Sequence, residues 1–349
     1  MSITRRAASL WINQGKDILR KILSTPLPPA IMLWGPPGIG KSAMIRQIAQ
    51  EKGWGVVDLR MLLLNPVDLR GIPVPDRERR RADWLPADFL PDTDRDGPEG
   101  ILLLDEINAA PPAVQASAYQ LLLDRRSGEY LLPPGWRIVA AGNRVTDRGV
   151  INRMPAPLAN RMLHFELICE LGDWKTWAMV SGIHPLVVSF LNFRPELLYK
   201  FPEGAAEIRA FPSPRSWEFT SRLIDLFDDW DMLFYAVAGA VGEGAAFEFI
   251  GFARQAQELP DPESILGGEE FDPPDRPDLI YALCSGLVNR LQANPGPERV
   301  ARFLDCLLQM PSEFQVMTMK DAWASGLIDQ ITAHPAYLEW ARANQAVVL

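Results

Sequence analysis

The sequence predicts an α/β protein in which a parallel sheet flanked by helices is followed by an all-α part. Short apolar runs at residues 31–34 and 101–104 are typical of strands buried in a parallel sheet. Each run leads into glycine-rich or acidic residues, and such sheets bind their ligands at the carboxyl ends of their strands. From about residue 172 onward, apolar residues recur at helical spacing between connectors rich in Pro, Gly and Asp.

The first elements lead into a glycine-rich loop. A helix predicted at residues 16–23 is ended by the prolines of residues 26–29, and the strand at 31–34 follows. The next eight residues match the pattern G-x-x-x-x-G-K-[ST], and a helical pattern comes directly after them. They are Gly35, Pro36, Pro37, Gly38, Ile39, Gly40, Lys41 and Ser42.

This residue pattern suits the binding of a triphosphate. Glycines let successive backbone N–H groups converge on phosphate oxygens, and the helix N-terminus adds a partial positive charge. Lys41 can reach the outer phosphates, and the hydroxyl of Ser42 can bind Mg²⁺. The loop therefore predicts a site for a nucleoside triphosphate with Mg²⁺.

A short strand at 55–61 precedes the second informative stretch, ILLLDEIN at residues 101–108. Asp105 and Glu106 stand at the carboxyl end of its apolar run. There Asp105 can hold Mg²⁺ through a water molecule, and Glu106 can activate a water molecule for attack. An apolar run followed by two acids is a weak signal alone, but it is strong some sixty residues after a complete phosphate loop.

Three further polar residues are site candidates. A helix at 113–124 and a hairpin near residues 127–128 lead to a strand at 136–143 that ends in Asn143. Asn143 either lies beside the γ-phosphate and the lytic water or begins a turn. Arg161 follows a helical turn before a strand at 163–167, and it either serves a neighbouring subunit's nucleotide or is a surface charge. Arg215 stands at a helix start, which predicts an anionic partner, either a phosphate or a carboxylate.

The segment from residue 64 to 97 is predicted to be irregular. Its charged run at residues 76–81 is expected to be a solvated loop. Trp84, Leu85, Phe89 and Leu90 either cap a local core or contact a partner.

Composition narrows the class of protein. The 349 residues carry a net charge of −9, with +4 in residues 1–168 and −13 in the remainder. This acidic balance argues against a nucleic acid partner. Three cysteines without metal-ligand spacing indicate buried thiols in a reducing compartment. Without a signal-like start or a stretch long enough to span a bilayer, we expect a cytoplasmic protein with no membrane partner.

Together these motifs resemble those of AAA+ ATPases, and most closely those of the MoxR family. GPPGIGKS resembles the Walker A motif, and ILLLDEINAAPPAVQ resembles the MoxR Walker B region. AAGN is similar to sensor 1, PLANRM to the segment with the arginine finger, and FPSPRSW to the sensor 2 motif of a helical lid. The resemblance runs from about residue 31 to 217, with weaker support to about residue 260.

The resemblance implies an AAA+ core at residues 1–170, a helical lid at 171–260 and a helical C-terminal extension at 261–349. It implies that Asn143 positions the γ-phosphate, that Arg161 acts in trans and that Arg215 acts from the lid. It further implies a ring, expected to be hexameric, and a partner with a von Willebrand factor A domain. Departures from the family pattern are Ala109, Arg144 and the sequence Asn160-Arg161-Met162, so Arg148 and Arg153 are rival fingers.

The leading functional hypothesis is an ATPase that remodels or activates a protein client. One alternative is a regulatory switch that binds ATP and turns it over slowly, and the set of Lys41, Asp105 and Glu106 argues against it. The other is a DNA-directed AAA+ motor, and the acidic second part without a basic stripe argues against that.

Overall fold

In the computed structural model, the described residues are 9–76, 78, 80–144, 147, 152, 154–202 and 209–345. The chain divides into two compact units, Met1–Cys169 and Glu170–Leu349, here called the core unit and the helical unit. Among the described residues, no helix combines the length and the apolar character that crossing a lipid bilayer requires.

The core unit is built on a parallel sheet of six strands, in the order β1-β10-β2-β9-β6-β3. The sheet strands are β1 (Ser9–Trp11), β2 (Ala30–Trp34), β3 (Gly55–Arg60), β6 (Gly100–Asp105), β9 (Trp136–Gly142) and β10 (Met162–Ile168). Helices α1 (Ile12–Leu23), α2 (Lys41–Lys52) and α5 (Pro112–Asp124) connect or flank them. Ile101, Leu102, Leu103 and Leu104 are all fully buried, as expected of a strand covered on both faces. The predicted α/β fold with a parallel sheet is confirmed.

The segment predicted to be irregular contains regular structure, so that prediction was wrong. It holds α3 (Pro66–Arg70), a hairpin of β4 (Ile72–Asp76) with β5 (Arg81–Leu85), and α4 (Thr93–Asp96). Prolines at positions 73 and 75 argued against a strand in the sequence. The strand forms nevertheless, because proline is tolerated in a strand that has a free edge. A second hairpin pairs β7 (Arg126–Ser127) with β8 (Tyr130–Leu131), as predicted, and α6 (Ala156–Ala159) precedes β10.

The helical unit confirms an all-α second part. In the described residues its longer helices are α7 (Leu171–Val180), α8 (Pro185–Phe193), α9 (Pro214–Leu223), α10 (Trp230–Val241), α11 (Glu243–Ala256), α13 (Pro277–Ala293), α14 (Pro297–Leu308) and α15 (Ser312–Ala324). The shorter ones are α12 (Pro262–Leu266), α16 (Ile328–Thr332) and α17 (Tyr337–Ala343). Helix α15 buries polar as well as apolar side chains, and the buried polar ones include Gln315, Thr318 and Asp321.

A buried ion pair joins two helices of this unit that are far apart in the sequence. The ammonium of Lys175 in α7 lies 2.5 Å from Oδ1 of Asp321 in α15, and both residues are less than a tenth exposed. Asn192 of α8 donates to the other oxygen of Asp321 at 3.4 Å. Burial raises the pKa of Asp321, and the charge and hydrogen bond of Lys175 oppose that rise.

Candidate functional site

The site candidates of the core unit gather at the carboxyl ends of three adjacent strands. The phosphate loop follows β2, which lies between β10 and β9. Asn143 follows β9, while Asp105 ends the neighbouring strand β6. Because all these strands run parallel, their ends meet at one edge of the sheet, where open α/β sheets bind ligands.

The phosphate loop has the backbone geometry of an anion cradle. Gly38 and Gly40 have φ values of 80° and 102°, in the left-handed region that glycine adopts without strain. A Cβ at Gly35 would lie 2.8 Å from the carbonyl oxygen of Leu167, so only glycine fits there. Helix α2 begins at Lys41, and no side chain caps its N-terminus. The N–H groups of its first turn lack intrahelical acceptors and are suited to phosphate oxygens.

Lys41 is buried, and among the described residues at least three acceptors hold its ammonium. Its ammonium donates to the carbonyl oxygens of Gly35 and Pro36 at 2.8 and 3.0 Å, and to Oδ1 of Asn143 at 3.1 Å. The sequence placed Lys41 and Asn143 in one site although 102 residues separate them. These contacts fix the ammonium beside the loop, which orients its positive charge before a ligand arrives.

Two oxygen-bearing side chains lie together where Mg²⁺ is expected. The hydroxyl of Ser42 donates to Oδ2 of Asp105 at 2.9 Å. Hydroxyl and carboxylate oxygens are the ligands that Mg²⁺ prefers, and it commonly takes one or two of them together with phosphates and water. Within the part of the chain that the structure describes, no three His, Cys, Asp or Glu side chains converge on a metal site. Because Mg²⁺ commonly takes its remaining ligands from phosphates and water, the pair of Ser42 and Asp105 fits an ion that a nucleotide brings with it.

Glu106 has an unusual backbone conformation. Its φ is 56°, which lies in the left-handed region. Residues other than Gly, Asn and Asp rarely adopt such a φ. Its N–H donates to Oδ1 of Asp105 at 3.0 Å, and the next N–H, of Ile107, donates to the carbonyl of Ala141 in β9 at 3.1 Å. The turn is thus held from both sides, and strain of this kind is often found at functional sites.

Asn108 is part of this site, and the sequence reasoning did not single it out. Its Nδ2 donates to the backbone carbonyl of Asn143 at 2.7 Å, and the residue is only 2% exposed. A Cβ at Gly142 would lie 2.2 Å from Oδ1 of Asn108, so the strand end and the amide side chain pack directly. Asn152 donates its N–H to the carbonyl of Asn108 at 2.7 Å. The signal was present in the sequence as the polar residue two positions after Glu106.

Comparison with known proteins finds a family match within the core unit. Residues 31–168 match the family described as "ATPase family associated with various cellular activities (AAA)". The chain is therefore similar to this family over residues 31–168, and this matched part is called the AAA domain below. The matched range begins in β2 and ends with the last residue of β10, so it contains the phosphate loop, Asp105, Glu106 and Asn143.

Other similarities extend beyond the AAA domain. Midasin of Dictyostelium discoideum is 26% identical over 267 residues, which are 72% of this chain and 4% of that protein. The chain therefore spans a small fraction of the length of this curated relative. NtrX from Brucella abortus, solved with ATP, has a TM-score of 0.39 at 16% identity and covers 92% of this chain and 68% of its own. A point variant of RuvB from Thermotoga maritima has a TM-score of 0.35 at 16% identity, with 80% and 85% covered.

Arg144 strengthens the segment that follows β9 in the AAA domain. Its guanidinium donates to Asp147 at 2.8 Å and to Glu166 of β10 at 2.8 Å. The hydrogen bonds that Arg144 donates to Asp147, followed by the one that it donates to Glu166, raise the pKa of Arg144 despite its partial burial. A charged arginine thus links Asp147 to Glu166 of β10, at one of the positions that depart from the family pattern.

Arg161 lies directly before β10 and is exposed. Its Nη1 donates to the hydroxyl of Tyr119 and, at 2.9 Å, to the carbonyl of Pro157. The rival fingers Arg148 and Arg153 lie outside the described residues. Arg215 belongs to the helical unit, where it is exposed in the first turn of α9. Within the described part of the chain it has no ion-pair partner, and its predicted role at the nucleotide remains a prediction.

The four apolar residues singled out in the segment from residue 64 to 97 differ in their burial. Leu90 is 2% exposed in the core of the AAA domain, and Phe89 packs against the same core. Leu85 is 58% exposed on β5, and Trp84 is half-buried with the Arg70 guanidinium 5.8 Å from its ring centroid. Phe89 and Leu90 therefore cap a local core, whereas Leu85 is a surface residue.

Proposed function

We propose that this chain is a MoxR-like AAA+ ATPase that couples ATP hydrolysis to the remodelling or activation of a protein partner. The observation that carries the proposal is the hydrogen-bonded cluster at the sheet edge, in which Lys41 meets Asn143 and Ser42 meets Asp105. Phosphoryl transfer needs little covalent chemistry from the protein, so positioning and charge stabilisation of this kind supply most of the catalysis.

The chain's own residues divide the work of hydrolysis. Amides of the phosphate loop and the ammonium of Lys41 hold the triphosphate and balance its charge. Ser42 and Asp105 would hold Mg²⁺, and the ion would neutralise charge that develops on the phosphate oxygens. Glu106 accepts a proton from the attacking water, and Asn143 orients that water against the γ-phosphate. The water oxygen forms the new P–O bond while the bond to the leaving ADP oxygen breaks.

Three parts of the proposal concern assembly and partners. Arg161 acts in trans on the nucleotide of the next subunit of a ring, expected to be hexameric, and Arg215 acts from a helical lid. Its exposed position in α9 leaves Arg215 available to an anion. The client is engaged together with a protein that carries a von Willebrand factor A domain. The family resemblance of the motifs supports these roles.

The decisive experiment measures steady-state ATP hydrolysis and partner capture with the full chain. We expect Mg²⁺-dependent turnover that falls by about 10²-fold or more in Glu106→Gln, which should still bind ATP. The ATP-loaded Glu106→Gln protein should retain a protein with a von Willebrand factor A domain. Unchanged turnover in Glu106→Gln would favour the slow nucleotide switch. Salt-sensitive capture of nucleic acid instead of protein would favour the DNA-directed motor.

A further inference from the structure

Tyr119 contacts the guanidinium of Arg161 in two ways, although the two residues are 42 positions apart. Nη1 of Arg161 donates to the tyrosine hydroxyl, and the guanidinium carbon lies 4.7 Å from the centroid of the ring. Stacking on an aromatic face and donation to a hydroxyl are compatible uses of one planar guanidinium. The contact therefore fixes both the position and the direction of the arginine head group.

Tyr119 is itself fixed by the core of the AAA domain. Its ring is half-buried and packs against the buried cluster that includes Val114, Ala118 and Leu122 of the same helix. An exposed arginine otherwise samples many rotamers, and ordering it costs conformational entropy. A ring that is already held by the core reduces that cost at the moment when the arginine must act.

The backbone before Arg161 is held as well. The carbonyl of Ala159 accepts from Nε2 of His164 at 2.7 Å, and Nδ1 of His164 accepts from the indole N–H of Trp34 at 2.8 Å. Trp34 immediately precedes Gly35 of the phosphate loop. The turn that carries Arg161 is thus attached to the strand β2, and only the side chain of Arg161 needs a further support. Tyr119 supplies that support.

We propose that Tyr119 is a positioning residue for Arg161, holding the guanidinium ready to enter the neighbouring subunit's nucleotide site. This inference rests on the proposed function, in which Arg161 acts in trans. Nη1 is occupied by Tyr119 and Pro157, whereas no hydrogen bond of Nε or Nη2 occurs among the described residues. Those two nitrogens are available to an anion while Tyr119 keeps its hold.

The first test separates positioning from nucleotide binding. We expect Tyr119→Ala to lower kcat about tenfold with KM for ATP unchanged within about twofold. Tyr119→Phe keeps the ring and loses only the hydroxyl, so it should lower kcat by only about two- to threefold. Leu123→Ala removes an exposed side chain, 41% accessible, from the same helix and is the matched control with unchanged kcat. A kcat of Tyr119→Ala equal to that of the control would overturn the proposal.

The second test mixes subunits. Arg161→Ala has a complete site but no finger, and Glu106→Gln has a finger but no catalytic base, so mixing them should restore turnover in shared sites. Adding Tyr119→Ala to the Glu106→Gln donor should reduce that restored turnover about tenfold, and adding Leu123→Ala should not. If the Glu106→Gln donor without a further change restores no turnover, the trans role of Arg161 is contradicted. The proposal for Tyr119 then fails with it. Equal restoration by the donor with Tyr119→Ala and the donor with Leu123→Ala would refute only the role of Tyr119. The trans role of Arg161 would stand.

Discussion

The ammonium of Lys41 lies 3.1 Å from Oδ1 of Asn143, so the first residue of α2 and the residue after β9 share a hydrogen bond. Two loops from different strands are thereby arranged around one positive charge. The ammonium also donates to the carbonyl oxygens of Gly35 and Pro36, so it links the end of the phosphate loop to its start. Preorganised charge of this kind needs little rearrangement when a substrate binds.

Replacing Lys41 should therefore weaken both binding and hydrolysis. We expect Lys41→Ala to lower affinity for ATP by at least about tenfold and turnover by about 10²-fold or more, because a charged donor to the phosphates is lost. Calorimetry and a phosphate-release assay measure the two effects. Lys52→Ala, at the exposed end of the same helix, is the control and should leave both quantities unchanged. ATP binding and turnover at the parent level in Lys41→Ala would refute the proposed site.

The left-handed backbone of Glu106 predicts a trade between stability and activity. Asparagine tolerates a φ of 56° better than glutamate, so Glu106→Asn should raise the free energy of unfolding by up to about 1 kcal/mol. The same change removes the carboxylate and should abolish turnover. Chemical denaturation and an ATPase assay check the two halves. As a control, Glu129→Asn in an exposed turn should change neither the unfolding free energy nor the turnover. A destabilised Glu106→Asn protein would contradict the predicted strain at Glu106.

Asn108 should matter for catalysis without touching the nucleotide. In Asn108→Ala the backbone carbonyl of Asn143 loses its amide donor, so the side chain of Asn143 should be less well placed. We expect kcat to fall about tenfold with KM for ATP changed by less than about threefold, and the free energy of unfolding to fall by about 1–3 kcal/mol. Kinetics at a temperature where the variant is folded distinguish the two effects. Parent-level kcat would separate Asn108 from the site.

The pH dependence of the helical unit should include His184. Nδ1 of His184 accepts from the N–H of Leu186 at 3.1 Å and caps α8, and burial lowers the pKa of His184 below its ordinary 6.5, opposed by Asp225. The folded protein binds a proton at His184 less readily than the unfolded chain does. The stabilisation by this cap is therefore complete above pH 6.5, the ordinary pKa of histidine. It is lost as the pH falls through the lower, folded pKa.

His184→Asn keeps a cap that does not titrate. We expect the thermal midpoint of the parent to fall relative to that of His184→Asn when the pH is lowered from about 7.5 to about 5.5. Both proteins share His164 and His334, so their contributions cancel. Parallel midpoints across this range would contradict the role of His184.

The buried pair of Lys175 and Asp321 predicts strong non-additivity. Either single change, Lys175→Met or Asp321→Leu, leaves one charge buried and should cost about 3–5 kcal/mol of unfolding free energy. The double variant buries no charge and should differ from the parent by no more than about 1–2 kcal/mol. Denaturant titration of the four proteins measures the coupling. Additive single effects would show that the pair is not coupled.

The sequence was sufficient for features that depend on local pattern. Four consecutive aliphatic residues from Ile101 to Leu104 have few uses other than a strand buried on both faces, and the phosphate loop requires glycine where the structure has positive φ. The gathering of Lys41 and Asn143 also followed, because parallel strands place their carboxyl ends together.

Features that depend on tertiary contacts were not predictable in this way. In the sequence, Tyr119 is one more residue of a predicted helix, and its contact with Arg161 is visible only in the structure. Asn108 gains its role from the carbonyl of Asn143, 35 positions away. In helix α15 the buried Asp321 has its partners in two other helices, and no local sequence period reveals them.

The same buried carboxylate limits how the protein can be dissected. A chain shortened after residue 260 would lack Asp321 and would leave the ammonium of Lys175 without its counter-ion. Asn192 would lose an acceptor at the same time. Loss of function in such a fragment would therefore report a damaged helical scaffold and not the removal of an independent module. Point changes on the outer surfaces of α14 to α17 are the cleaner way to learn what the last helices do.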